Sequence, residues 1–435
     1  MRAWRCKLML QSEGRTALKR IALNGARAIV LTSLLICTIF APARWVASEQ
    51  AERSWACQVL PPEREITTDE VSGATVIFVT TDQADDLNFY FHERSWLPDG
   101  SMLVFTSQRT GRSEPFGYVE QTGELVRLGL ERDPAGTAFT AARYTNSLYL
   151  VRDGAVFDWA INVIPGTGGS NTKVRVQERK ICNLPPNIRL RSALNDNATG
   201  TYLSLGFNRE GNGADEIVAI EKATGKIVRV AQVEGSISHV QFSWTDPEMV
   251  MFARYYPGGD RAPLTDDETD PGRRRCRFWF TDFSDRPPWP SRWQRPGELV
   301  THECWWVDNL VTFCGAYREE ESHVKLLDLR TGVIRIIGAG SWWADGTPFE
   351  LSKRNWWHAA GDPRGRWVAA DNWHGDIVLF DARTTEERLL AHGHRTYGGG
   401  AHPHVGWAPT GDRVVFASNR RGNADVCIAI VPEEW

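Results

Sequence analysis

One unit recurs from about residue 74 to the end of the chain: a short apolar strand, a turn rich in Asp, Gly or Asn, a stronger strand, then a polar loop and another pair of strands. The clearest copy is "WLPDGSMLVFTSQRTGRSEPFGYVEQTGELVRL", residues 96–128, with turns at Pro98-Asp99-Gly100 and Thr122-Gly123. Similar units follow, with turns near Asp153-Gly154, Thr199-Gly200, Asp246-Pro247, Asp308-Asn309, Gly365 and Gly411. Late hairpin turns recur in "KATGKIVRV" and "LRTGVIRII". Seven turns separated by about 46 to 62 residues predict an all-β fold, a seven-bladed β-propeller of four-stranded blades. Two separate sandwiches would not explain the even spacing. The strand "ATVIFVT", residues 74–80, is expected to close the ring by completing the last repeat, which ends in "VCIAIVP".

The predicted organisation is residues 1–48 as an export signal, 49–73 as a lead-in segment and 74–435 as the propeller. Arg2, Arg5, Lys7, Arg15, Lys19, Arg20 and Arg27 precede the apolar run "AIVLTSLLICTIFAPA", which ends in small residues at Ala41 and Ala43. That pattern predicts export to the periplasm or beyond; the run is somewhat short for a spanning helix, and a retained N-terminal membrane anchor is the alternative. Ile36 stands before Cys37 where a lipoprotein site needs a small residue. No stable membrane partner is expected beyond such an anchor. A net charge of −4, with 50 basic and 54 acidic residues intermixed, gives no basic footprint for nucleic acid. Behind the signal, Cys57, Cys182, Cys276, Cys304, Cys314 and Cys427 are too sparse for a disulfide scaffold. Cys304 and Cys314 flank the Asp308-Asn309 turn and are expected either to face each other across a hairpin or to be buried thiols.

The first strand of each blade lines the central channel, so residues there converge from different repeats. Of ten histidines, five fall at that place: His239 in "SHVQFSW", His302 in "THECWW", His358 in "NWWHAAGDPRGRW", and His402 with His404 in "AHPHVGW". In extended chain, positions two apart share a face about 7 Å apart, so His402 and His404 can meet on one metal or one anionic ligand. Imidazole is a metal ligand and also a ready base near neutrality, and a cluster with spare members can do both. Arg277, in "RCRFWF", alternates with Phe278 and Trp279 as on a strand, from which a guanidinium aimed at the channel could grip a carboxylate.

The stretches "LNFYFHERSWLPDGSMLVFTSQRTG", "SHVQFSWTDPEMVMFA", "CRFWF", "THECWW", "WWHAAGDPRGRWVAAD" and "HPHVGWAPTGDRVVFASNRRGNADVCIAIVP" resemble the oligogalacturonate lyases, seven-bladed propellers among the polysaccharide lyases. The resemblance runs over most of the chain after about residue 74. It implies a metal-dependent β-elimination on uronate-containing oligosaccharides, as in pectin degradation. By resemblance His302 is the base that removes the C5 proton and Arg277 the catalytic cation that binds the substrate carboxylate. His239, from its place on a channel-lining strand, is expected to bind substrate. His358, His402 and His404 are, by resemblance, imidazole ligands of a divalent metal. That metal is manganese in the family, with zinc, iron, nickel or calcium as alternatives. One departure stands out: the family places a glutamine ligand three residues before the first histidine of the pair, where this chain has Gly399. Either water or substrate fills that position, or His394 or Tyr397 substitutes, or the metal is weak or absent.

Tryptophan is abundant, 19 residues, with pairs at Trp305-Trp306, Trp342-Trp343 and Trp356-Trp357. In a strand one of each pair should face the blade interior and the other face away, toward a sugar-stacking surface. "GTGGSN" follows no βαβ pattern and reads as a hairpin loop, "DDETDPGRRR" lacks the spacing of a calcium loop, and no Gly-x-Ser-x-Gly elbow is present. The expected partner is an acidic oligosaccharide. The competing expectations are a lyase for a different acidic polysaccharide and a non-catalytic propeller that binds a glycan or an envelope protein.

Overall fold

The strands in the middle of each repeat are apolar on both faces, which is the mark of a sheet covered from both sides. Met102–Ser107 ("MLVFTS") buries all but one residue, and Ile377–Asp381 buries all of its residues. In the computed structural model the described residues are 53–168, 171–256, 259, 261–262, 274–345, 350–395 and 401–435, all within the unit Gln50–Trp435. They form seven antiparallel sheets. Blade 1 begins with Asp86–Leu87 and continues through Met102–Ser107, Glu114–Val119 and Leu125–Arg127. The innermost strands of blades 2 to 6 are Thr137–Ala141, Asn195–Asp196, Ser236–Phe242, Leu299–Trp305 and Trp356–Gly361. Blade 7 runs from Gly406–Trp407 through Arg413–Ser418 and Asp425–Ile430.

The ring closes as the sequence predicts. Thr75–Phe78 pairs antiparallel with Asp425–Ile430, with Phe78 opposite Cys427 and Val76 opposite Ala429. Seven apolar clusters among the described residues each span two neighbouring blades. The seam between blades 7 and 1 packs Ile77, Val415 and Ile428 against Leu103, Phe105 and Tyr118. Each fully buried large apolar side chain contributes about 1.5–3 kcal/mol.

The lead-in segment is built into the sheets. Glu65–Thr68 adds a strand to blade 7, Gln58–Leu60 one to blade 1 and Arg53–Ala56 one to blade 2, so residues 53–68 cover three outer edges in succession.

Three expectations are corrected. Asp153-Gly154 does not end an innermost strand: both residues have positive φ and connect Ser147–Arg152 to Ala155–Ile164, the second and third strands of blade 2. An Asp-Gly hairpin turn carries no mark of its place in a blade. Of the two alternatives for Cys304 and Cys314, buried thiols hold and facing across the hairpin is corrected: Cys304 lies opposite Thr312 and Cys314 opposite Thr301, and all six described cysteines are free thiols. Trp305 and Trp306 are both buried, because one packs in the seam between blades 4 and 5 and the other in the seam between blades 5 and 6. Both faces of a propeller blade are interior. The export signal lies outside the described residues; among those residues no helix is long and apolar enough to cross a membrane.

Candidate active site in the channel

Irregular backbone places the histidines. The innermost strands of blades 4, 5 and 6 each shift register, between Ser238 and Gln241, Thr301 and Cys304, and Trp356 and Ala359. Each bulge carries a histidine. His239 and His302 adopt left-handed conformations with φ of 49° and 53°, and His404, just ahead of blade 7's innermost strand, has φ 50°. Such conformations cost about 1–3 kcal/mol apiece in residues with a Cβ, and a bulge beside a site re-aims its side chain.

The re-aimed rings meet. Ring centroids of His302 and His358 are 4.3 Å apart, those of His358 and His404 4.6 Å, and those of His239 and His302 6.0 Å. His402 lies 5.9 Å from His358 and 5.8 Å from His404. Tyr90 stands among them, its ring 4.7 Å from His404, 5.4 Å from His239 and 5.7 Å from His358. Phe91 and His92 follow it into the channel, with Phe91 5.3 Å from His358 and His92 4.9 Å from His239.

Two carboxylates organise the cluster from behind. Nδ1–H of His239 donates to Glu303 at 2.8 Å, and Nε–H of Arg277 donates to the other oxygen of Glu303 at 3.3 Å. Arg277 also stacks its guanidinium 4.4 Å from the Tyr255 ring. All three members of the triad are buried. Burial alone would raise the Glu303 carboxyl, but Arg277 and His239 outweigh it and hold it at about 2. Asp371 accepts Nδ1–H of His358 at 2.9 Å and the backbone N–H groups of His358 and His404 at 3.0 Å each, which locks blades 6 and 7 together behind the rings.

Burial, reinforced by neighbouring imidazoles, pushes His302 and His404 well below the ordinary histidine value; burial first, with Arg395 and His358 adding to it, also lowers His402. These rings are therefore neutral at neutral pH, the form that accepts a proton or binds a cation. Among the described residues, no three His, Cys, Asp or Glu side chains stand with their donor atoms already drawn around one point as an ion would hold them. The donor chemistry of His358, His402 and His404 nevertheless suits a divalent cation: the ring spacing is short, and Asp371 orients His358 in the carboxylate–histidine arrangement that supports a metal ligand.

An aromatic strip flanks the rings. Trp357 lies 4.7 Å from His302, Trp342 and Trp373 lie 5.3 and 5.4 Å from Trp357, and Trp373 lies 5.3 Å from His402.

The structure thus brings His239, His302, His358, His402, His404 and Arg277 to one end of the channel. Arg277 sits one residue before the strand Phe278–Thr281, the third of blade 4, and reaches inward from there; the expectation that it lies within a strand is corrected by that residue. His394 is elsewhere: its Nδ1 pairs with Ser418 and its ring packs on Phe78 and Phe416, so burial among apolar rings removes it from the metal-ligand alternatives. Tyr397 and Gly399 lie outside the described residues. Sequence reasoning missed Tyr90, His92, Glu303 and Asp371. The neighbours of His302 in "THECWW" and the hairpin partner strand of His358 were the available signals for the two carboxylates.

No protein-family model matches the chain, and no curated protein does. Solved structures do resemble it. An oligogalacturonate lyase in complex with manganese is 16% identical with a TM-score of 0.68, over 87% of this chain and 98% of that one. The oligogalacturonate lyase of Vibrio parahaemolyticus is 15% identical, also with a TM-score of 0.68, over 88% and 100%. A puromycin hydrolase is 12% identical with a TM-score of 0.53, over 80% of this chain and 52% of its own. At these identities the likeness is one of fold: this chain is a seven-bladed propeller like that of the oligogalacturonate lyases.

Proposed function

We propose that the histidine-lined end of the channel is the catalytic centre of a lyase that cleaves uronate-containing oligosaccharides by β-elimination. The observation that carries the reading is the joint placement of a neutral His302, a buried Arg277 and three further imidazoles at one point, with a fold shared by oligogalacturonate lyases. His302 has its Nδ1 3.1 Å from the Thr301 hydroxyl; with Nδ1–H donating there, Nε2 is the free base.

In the proposed step Nε2 of His302 takes the C5 proton, the C5–H electron pair becomes the C4–C5 double bond, and the C4–O bond breaks, its oxygen taking up a proton from water while His302 returns its proton to solvent. Negative charge builds on the carboxylate beside C5 as the proton leaves. Arg277, fixed by Glu303 and Tyr255, supplies positive charge toward that carboxylate. His358, His402 and His404 would hold a divalent cation, which would supply further positive charge when bound. His239, held by Glu303, is positioned to contact substrate, and the strip of Trp342, Trp357 and Trp373 offers apolar faces to sugar rings. Export to the periplasm or beyond is part of this proposal, since such substrates are met outside the cell.

The test is incubation with oligogalacturonate and with other uronate oligomers, with and without added divalent metal, following ultraviolet absorbance of the unsaturated product. Product from oligogalacturonate supports the reading as stated, and product from another uronate alone moves the substrate within the same chemistry. The second reading is a non-catalytic glycan-binding propeller, for which the aromatic strip of Trp342, Trp357 and Trp373 would be the sugar-binding surface. Glycan binding with no product from any uronate would establish it.

A further inference from the structure

A well-formed cavity lined largely by aromatic side chains lies away from the five clustered histidines. In four blades the cavity-lining residues come a few positions after the histidine in or next to the innermost strand: Trp244 after His239, Cys304 after His302, Gly361 after His358 and Trp407 after His404. Innermost strands of a propeller run through the channel in one direction, so the cavity opens at the opposite end. Phe91 and His92 separate the two ends, touching the histidine rings on one side and lining the cavity on the other.

The cavity measures about 220 Å³, and most of its wall is apolar, formed by Phe91, Trp96, Trp244 and Trp407. Into this wall is set one arginine with unused donors. Arg143 stacks 4.9 Å from the Trp244 ring, yet its Nε and one terminal nitrogen are buried without a hydrogen-bond partner. The nearby carboxylate is already engaged: Asp196 takes the Arg94 guanidinium on one oxygen and the backbone N–H of Arg143 on the other. The second carboxyl at the cavity, Glu93, is pushed up to about 8 by burial, so at neutral pH it is a neutral group that can donate a hydrogen bond. Both ring nitrogens of His92 are also buried without a partner.

A half-buried guanidinium with two buried N–H-bearing nitrogens unpartnered, beside an Asp196 already shared with Arg94, is an anion site, and apolar walls around it select against a heavily hydroxylated ligand. We infer that this rear cavity binds a small organic monocarboxylate with a flat apolar body, its carboxylate on Arg143 and its body between the tryptophans. The inference is independent of the reaction proposed for the histidine end.

Benzoate titrated into the full chain by calorimetry tests it, with benzamide and galacturonate as comparisons. Benzoate should bind, benzamide about tenfold more weakly or worse, and galacturonate should not compete. Arg143→Met should weaken benzoate by about tenfold or more while leaving the unfolding midpoint near that of the parent. Crystals grown with 4-bromobenzoate give a readout that does not depend on the variant folding, because the anomalous bromine peak should lie in the cavity beside Arg143. No saturation by benzoate at tens of millimolar, equal affinity in a folded Arg143→Met variant, or bromine only elsewhere would overturn the inference.

Discussion

His239 and Glu303, 64 positions apart and on neighbouring blades, form a buried pair with Nδ1 2.8 Å from the carboxylate, and the same carboxylate holds Arg277. The pair fixes both the imidazole and the guanidinium that face the channel. Removing one member of a buried pair strands the other, at a cost of about 3–5 kcal/mol. Glu303→Ala should therefore lower stability by that order in urea unfolding. The isosteric Glu303→Gln should keep the fold and lose about tenfold to a hundredfold in turnover, measured under saturating uronate.

Stability should also depend on Glu303 through pH. Its carboxyl titrates at about 2 in the fold against 4.5 ordinarily, because Arg277 and His239 outweigh burial. The folded state binds that proton less tightly than the unfolded chain, so the contribution is complete above pH 4.5 and is lost as pH falls toward 2. Unfolding curves over this range should show the parent losing stability more steeply than Glu303→Gln.

Much of this was legible in advance because turns and apolar runs are local signals. The turns at Asp99-Gly100, Asp246-Pro247 and Gly411 mark blades, and pairing of residues 75–78 with the last repeat follows from the need to cover an edge. What escaped is what a period of two cannot express. His302 and its neighbour Glu303 both serve the channel only because a bulge with a left-handed His302 breaks the alternation. Tyr90 and His92 lie in a segment with no regular period, and Arg277 reaches the channel from outside its strand. The short strands at 53–56, 58–60 and 65–68 follow from edge covering and have no apolar pattern of their own.

A cation held by His358, His402 and His404 would bind the folded state alone and raise its stability, by about 2.7 kcal/mol at a hundredfold excess over Kd. Thermal unfolding with Mn²⁺ or Zn²⁺ should show an upward shift for the parent. His402→Ala should abolish most of the shift, and so should a chelator.

The seam between blades 7 and 1 should be as well packed as the others. Ile428 is fully buried there, so Ile428→Ala should cost about 2–5 kcal/mol in denaturant unfolding. A loss below about 0.5 kcal/mol would mean that this seam is not closed in solution.

The most direct measurement is the rate at which unsaturated product appears from oligogalacturonate with the parent protein and with His302→Gln, both verified as folded. The account predicts steady product from the parent and a loss of at least about a hundredfold in the variant, the scale of a removed general base. Equal rates from the two proteins would contradict His302 as the base, and no product from the parent on any uronate would contradict the lyase.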